Sequence, residues 1–179
     1  MSAVIGIVVG SASDLGVASK AADLLKEFGV PFEIGIASAH RTPEDVVRYA
    51  SGAAERGILA IIAMAGLSAA LPGVIAAHTT LPVIGVPIAS GPLSGFDALT
   101  AIAQMPPGVP VACMSIDGAR NAALMALRIA AIRDESLSLK LEEWTKTSAD
   151  SVRQSREKIA ESEGMKRIPD QAFSGNAPR

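Results

Sequence analysis

The chain has 179 residues, of which 49% are hydrophobic, 19% charged and only 3% aromatic. That balance excludes a disordered chain and fits one domain of ordinary size with a core of Ala, Val, Ile and Leu. Sixteen Lys and Arg against eighteen Asp and Glu leave a formal charge of −2, so no basic excess points to nucleic acid. One cysteine, Cys113, excludes an intrachain disulfide and a multi-cysteine metal cluster, and two histidines, His40 and His78, argue against a histidine-rich metal site. A reducing cytoplasm is the expected compartment.

The opening MSAVIGIVVG has no basic region before its apolar stretch, so no signal peptide is expected. Residues 4–9 continue as an apolar, β-rich run without polar alternation, the pattern of a strand covered on both faces (expected bounds Ala3 to Val9). Gly10 to Asp14 reads as a turn. Val17, Ala21, Leu24, Leu25 and Phe28 mark one face of a helix stopped by Gly29, and Pro31 to Ile36 reads as a second strand. Thr42 is placed to cap a helix with Pro43 at its first position and Glu44 and Asp45 in its first turn, running to about Glu55 and ending at Gly57.

Ile58 to Ala77 is an uncharged run long enough to cross a bilayer, but Gly66, Ser68, Pro72 and Gly73 interrupt it and many of its residues are Ala. It is read as a buried strand (Leu59 to Ala63), a turn and a buried helix, so no membrane partner is expected. Pro82 to Pro87 supplies a fourth strand, Ile88 to Gly95 a long loop, and a short helix ends near Gln104. Val109 to Met114 is the fifth strand, and Asp117 or Gly118 opens an Ala-rich helix. About five alternations of strand and helix predict an open parallel sheet with helices on both faces, where ligands bind beyond the carboxyl ends of the strands. Residues 134–163 form a charged helix with Leu137, Leu141 and Trp144 as a narrow apolar stripe, expected to dock on another subunit. One domain over residues 1–163 is expected, followed by a flexible tail, 164–179.

Three loops that follow strands carry the candidate chemistry. In Gly10-Ser11-Ala12-Ser13-Asp14, small residues let backbone N–H groups approach an anion and two hydroxyls add donors; Asp14 either caps the next helix or binds sugar hydroxyls. In Ser38-Ala39-His40-Arg41-Thr42-Pro43, the helix dipole and the guanidinium both oppose protonation of His40. The pairing makes sense if Arg41 grips an anion and His40 exchanges a proton near neutral pH; the alternative is an exposed His beside a surface Arg. In the third loop, Gly66, Ser68 and Ala70 belong either to an anion-binding turn or to a tight strand-to-helix connection. His78, near a helix C-terminus, and Cys113, inside an apolar strand, read as structural.

Taken together these loops resemble the PurE family of purine-biosynthesis enzymes, which act on aminoimidazole ribonucleotides. Residues 10–14 match its GSxSD and residues 38–43 its SAHRTP. Residues 81–87 match LPViGVP, Gln104-Met105-Pro106 matches QMP, and Asn121-Ala122-Ala123-Leu124 matches NAAL. The resemblance covers roughly residues 4 to 135 in unbroken order. It implies a flavodoxin-like three-layer αβα sandwich, a homo-octamer with sites at subunit junctions, and no metal or organic cofactor. It also implies Ser11 and Arg41 on the phosphate of a small ribonucleotide, Asp14 on the ribose, Ser38 lining the site, and His40 as the catalytic proton shuttle. The implied reaction moves the carboxylate of 5-(carboxyamino)imidazole ribonucleotide from nitrogen to ring carbon four by loss and recapture of CO2. The sister branch of the family instead carboxylates aminoimidazole ribonucleotide directly with CO2.

The third loop departs from the mutase pattern AGAGGAAHLPG, whose second active-site histidine is Ala70 here. At Ser68 and Ala70 it is closer to the direct carboxylase's GRSNAL, while Ala39 to Thr42 and Gln104 to Pro106 look like the mutase. The mutase is the leading expectation. The alternatives are the direct carboxylase, a paralogue acting on another heteroaromatic acid, and a nucleotide-binding regulatory module without catalysis.

Overall fold

The computed structural model describes residues 4–159 and 168–173. Five strands, β1 (Val4–Val9), β2 (Phe32–Ile36), β3 (Ile58–Ala65), β4 (Val83–Pro87) and β5 (Ala112–Cys113), form one parallel sheet in the order β2-β1-β3-β4-β5. Helices α1 (Leu15–Phe28) and α5 (Ala119–Ala131) cover one face, and α2 (Pro43–Ser51), α3 (Leu71–Ala77) and α4 (Phe96–Ala103) cover the other. This is the open parallel sheet with helices on both faces that the alternation predicts, and the flavodoxin-like sandwich that the family resemblance implies.

The scarcity of rings is resolved by alanine. α5 turns Ala119, Ala122, Ala123, Ala126 and Ala130 inward with Leu127, a helical stripe of methyl groups that lets it lie close against α1 and the sheet. Between the helical layers Ile5, Ile7, Val9, Ile61, Ile62 and Ile84 are fully buried. The uncharged run 58–77 divides into β3, a turn and α3 as expected, and no helix among the described residues is long and apolar enough to cross a membrane.

Two expected boundaries move for local reasons. β5 was expected over Val109 to Met114 but pairs only through Ala112 and Cys113, because Pro110 has no N–H to give the ladder and the strand lies at the sheet edge. α2 stops at Ser51 rather than near Glu55; Gly52 ends it, and tighter turns carry the chain to Gly57, whose φ is +83°. α1 ends as expected at Gly29, in the left-handed region at φ +72°. Cys113 is half-buried rather than buried, and desolvation pushes its thiol pKa up.

The described residues fall into two compact units divided between Ser138 and Leu139. Helix α6 (Glu135–Ile159) starts on an Asp134 cap, whose Oδ1 accepts from Leu137 N at 3.1 Å and Ser136 Oγ at 2.7 Å. The second unit also holds a short 3₁₀ helix, Asp170–Phe173, with the Arg156 guanidinium 4.1 Å above the Phe173 ring. Residues 160–163 of the expected C-terminal helix, and the expected flexible tail apart from 168–173, lie outside the described residues.

One glycine reports a close approach in the sheet. A Cβ at Gly6 would collide with the Tyr49 hydroxyl, which is buried without a hydrogen-bond partner. Burial pushes the Tyr49 pKa well above the ordinary phenol value, and the Glu33 carboxylate adds in the same direction. Gly6→Ala is therefore expected to destabilise the chain by about 1–3 kcal/mol. The double change with Tyr49→Phe, read against Tyr49→Phe alone, should recover most of that loss, since it removes the oxygen that the new methyl group would meet. Urea unfolding of the three variants checks this.

Candidate active site

Parallel pairing brings the carboxyl ends of β1, β2 and β3 to one edge of the sheet, and the loops leaving them enclose a cleft of about 500 Å³. Every site residue expected from the sequence lines it. Ser11 and Asp14 come from the first loop, Ser38, His40 and Arg41 from the second, and Gly66, Ser68 and Ala70 from the third. His78 and Cys113 are not among the lining residues. His78 donates Nδ1–H to the Val74 carbonyl at 2.8 Å, as a helix-end residue would.

The first loop makes a single 3₁₀ turn, Ala12–Asp14, before α1 begins. Asp14 is only 7% exposed. Its carboxylate makes no capping bond to the α1 amides, which removes one of its two expected uses; Ser13 Oγ donates to Oδ1 at 3.0 Å and holds the group in place. A buried carboxylate beside a cleft is an acceptor suited to hydroxyl donors.

The second loop is tied by side chains. Thr42 stands at the N-cap position of α2, but its Oγ1 does not cap. It turns back to accept from Ser38 N at 2.9 Å and to donate to Ser38 O at 3.4 Å. Ser38 Oγ in turn accepts from Arg41 N and Arg41 Nε, each at 3.3 Å, and Arg41 Nη2 reaches across to the Gly10 carbonyl at 3.3 Å. The guanidinium is thus aimed at the junction of the first two loops while staying exposed, and His40, also exposed, sits one residue before it on the cleft wall. The arrangement offers a bidentate cation for an anion and an imidazole within the same cleft.

The third loop is bent. Leu67 holds φ +53° and Ala69 φ +24°, conformations that residues carrying a Cβ rarely adopt. A Cβ at Gly66 would collide with Ser90 Oγ and lie 3.2 Å from Ser90 Cβ. Ser90 belongs to the loop after β4 and also lines the cleft, so a fourth strand contributes to the site. The sequence reading missed it, because one serine in a Gly- and Pro-containing loop carries no signal. Only the neighbouring of β3 and β4 brings it in.

Comparison with known proteins agrees with this layout. Residues 4–151 match the family model for AIR carboxylase. The chain belongs to the AIR carboxylase family. Relatives include the N5-carboxyaminoimidazole ribonucleotide mutase of Pyrococcus horikoshii, 53% identical over 157 residues that cover 88% of this chain and 89% of that one. The phosphoribosylaminoimidazole carboxylase of Saccharomyces cerevisiae is 45% identical over 172 residues, covering 96% of this chain but 29% of that longer protein. Among solved structures, that of Treponema denticola PurE superposes with a TM-score of 0.78 at 31% identity, covering 88% of this chain and 98% of the other.

The bonds to Thr42 Oγ1 are the fastening of the second loop. Thr42→Val is expected to cost about 1 kcal/mol of stability, as the loss of one such pairing does, and Thr42→Ser to restore it. Chemical denaturation of the two variants checks this.

Proposed function

We propose that this chain is a purine-biosynthesis mutase interconverting 5-(carboxyamino)imidazole ribonucleotide and 4-carboxy-5-aminoimidazole ribonucleotide. The observation that carries the reading is the meeting of His40 and Arg41 with Asp14 in one cleft, in a chain of this family. Arg41 and Ser11 take the phosphate, as a guanidinium and a small-residue loop suit a dianion. Asp14 accepts from ribose hydroxyls, and Ser38 holds Arg41 in position.

The chemistry then asks little of the protein beyond enclosure and one proton. The bond between the exocyclic nitrogen and the carboxylate breaks, CO2 is released, and the nitrogen keeps the electron pair and takes a proton from His40. Carbon four of the electron-rich ring attacks the trapped CO2 and the new C–C bond forms. That carbon then gives its proton to His40, which returns the imidazole to its starting state. One proton has moved from carbon to nitrogen and one CO2 from nitrogen to carbon. Holding CO2 beside the ring makes recapture faster than escape. His40 is the one imidazole lining the cleft, since position 70 holds a methyl group. It therefore serves both transfers.

His40→Asn is expected to lower kcat by about 10²- to 10⁴-fold while the ribonucleotide still binds. Arg41→Ala should raise KM by about 10- to 100-fold, as the loss of charge-assisted bonds to phosphate does. Both follow from the ultraviolet change on incubating enzyme with 4-carboxy-5-aminoimidazole ribonucleotide. No spectral change with the parent chain at stoichiometric concentration overturns the reading, and turnover that needs added bicarbonate in the synthetic direction reassigns the chain to direct carboxylation.

The working form is a homo-octamer in the cytoplasm. Support comes from exposed apolar side chains on the unit that carries the cleft, Ile34 and Ile36 on edge strand β2 and Leu93 and Phe96 around the start of α4, which another subunit would cover. Light scattering is expected to give a mass of eight chains; a monomer overturns it.

A further inference from the structure

We propose that Ser90 is a further substrate-contacting residue, its hydroxyl donating a hydrogen bond to the carboxylate of the bound ribonucleotide. The inference rests on the ribonucleotide reading above and adds to it the group that holds the migrating CO2 unit before it leaves.

Ser90 Oγ is shut off from solvent and has no hydrogen-bond partner, although the residue as a whole is partly exposed and lines the cleft. Buried polar atoms in folded proteins are nearly always paired, so an orphan beside a cleft is a donor without its acceptor. Rotation about one bond, between staggered positions, sets the direction of that hydroxyl. Gly66 leaves it room, since any side chain there would occupy its space.

The backbone around Ser90 is firmly placed. Ile88 N donates to Ala65 O at 2.9 Å, fastening the start of the loop to the end of β3. Ala89 N donates to Asp117 Oδ1 at 3.0 Å, and Asp117 N donates to Pro87 O at 2.8 Å. Asp117 holds φ +55° to make both bonds. Strain of this kind persists where the surroundings over-determine a position. An orphaned hydroxyl on a backbone pinned from two sides is pre-organised for a partner that arrives with the ligand.

The sheet order says which end of the ligand that is. β4 lies two strands from β1, so Ser90 stands about 10 Å along the cleft from the first loop. Arg41, the one guanidinium among the lining residues, bonds to Gly10 at the β1 and β2 side. A ribonucleotide with its phosphate there directs its ring toward Gly66 and Ser90. Among the described residues no cation lines that end; the side-chain donors there are the hydroxyls of Ser68, already exposed to water, and Ser90. A neutral donor suits a carboxylate that must depart as uncharged CO2, because a fixed positive charge would hold the anion back.

The test compares the parent chain with Ser90→Ala and Ser90→Cys, the second conserving volume while weakening the donor. Calorimetric titration uses 4-carboxy-5-aminoimidazole ribonucleotide and 5-aminoimidazole ribonucleotide, which differ only in the carboxylate. Both variants are expected to bind the carboxylated ligand about 10-fold more weakly and the other within about twofold of the parent, as loss of one bond to a charged group predicts. Their melting temperatures should stay level or rise, since a partnerless buried hydroxyl is removed. Equal losses for the two ligands, no loss for either, or a fall in melting temperature in both variants overturns the assignment of Ser90 alone. A parent chain that binds neither ribonucleotide overturns the ribonucleotide reading and this one with it.

Discussion

Parallel pairing is the constraint on which the rest depends. It sends the carboxyl end of every strand to the same edge, so the loops after β1, β2, β3 and β4 must share one space whatever else they do. The Ala-rich helices make this compact: with methyl groups facing inward, α1 and α5 lie close on the sheet and leave the opposite edge free for loops of small residues. The chemistry proposed for the cleft asks for little catalytic equipment. A cation, a carboxylate, an imidazole and a closed volume suffice when the reaction stores its own electrophile as CO2.

Within that edge, small side chains decide how near the loops approach. The glycine at 66 brings β3's exit against β4's, and Thr42 draws the second loop back onto Ser38 and frees Arg41 to span to Gly10. The site is thus built less by long side chains reaching inward than by backbone brought close, which agrees with a chain that has few aromatics and few charges.

Much of this was legible in the sequence. Uninterrupted apolar runs marked β1, β3 and β4 because both their faces are covered, and Gly29 marked the end of α1 because a left-handed residue ends helices. His40 beside Arg41 stood out because such a pair is costly without a ligand to justify it. Other features were not legible. The length of β5 depended on whether Pro110 would face the ladder, and the direction of the Thr42 hydroxyl depended on a choice between two nearby backbone acceptors and donors. The left-handed Leu67 and the placement of Ser90 came from neighbours distant in sequence, which no local pattern encodes.

The bonds of Asp117 have one more consequence. They join residues 87 and 89 to 117, so the excursion that carries α4 and β5 is cinched at its neck by a single residue. The backbone on both sides of Ile88 therefore answers to position 117, far along the chain, and Ser90 at the cleft follows directly on the second of those anchors.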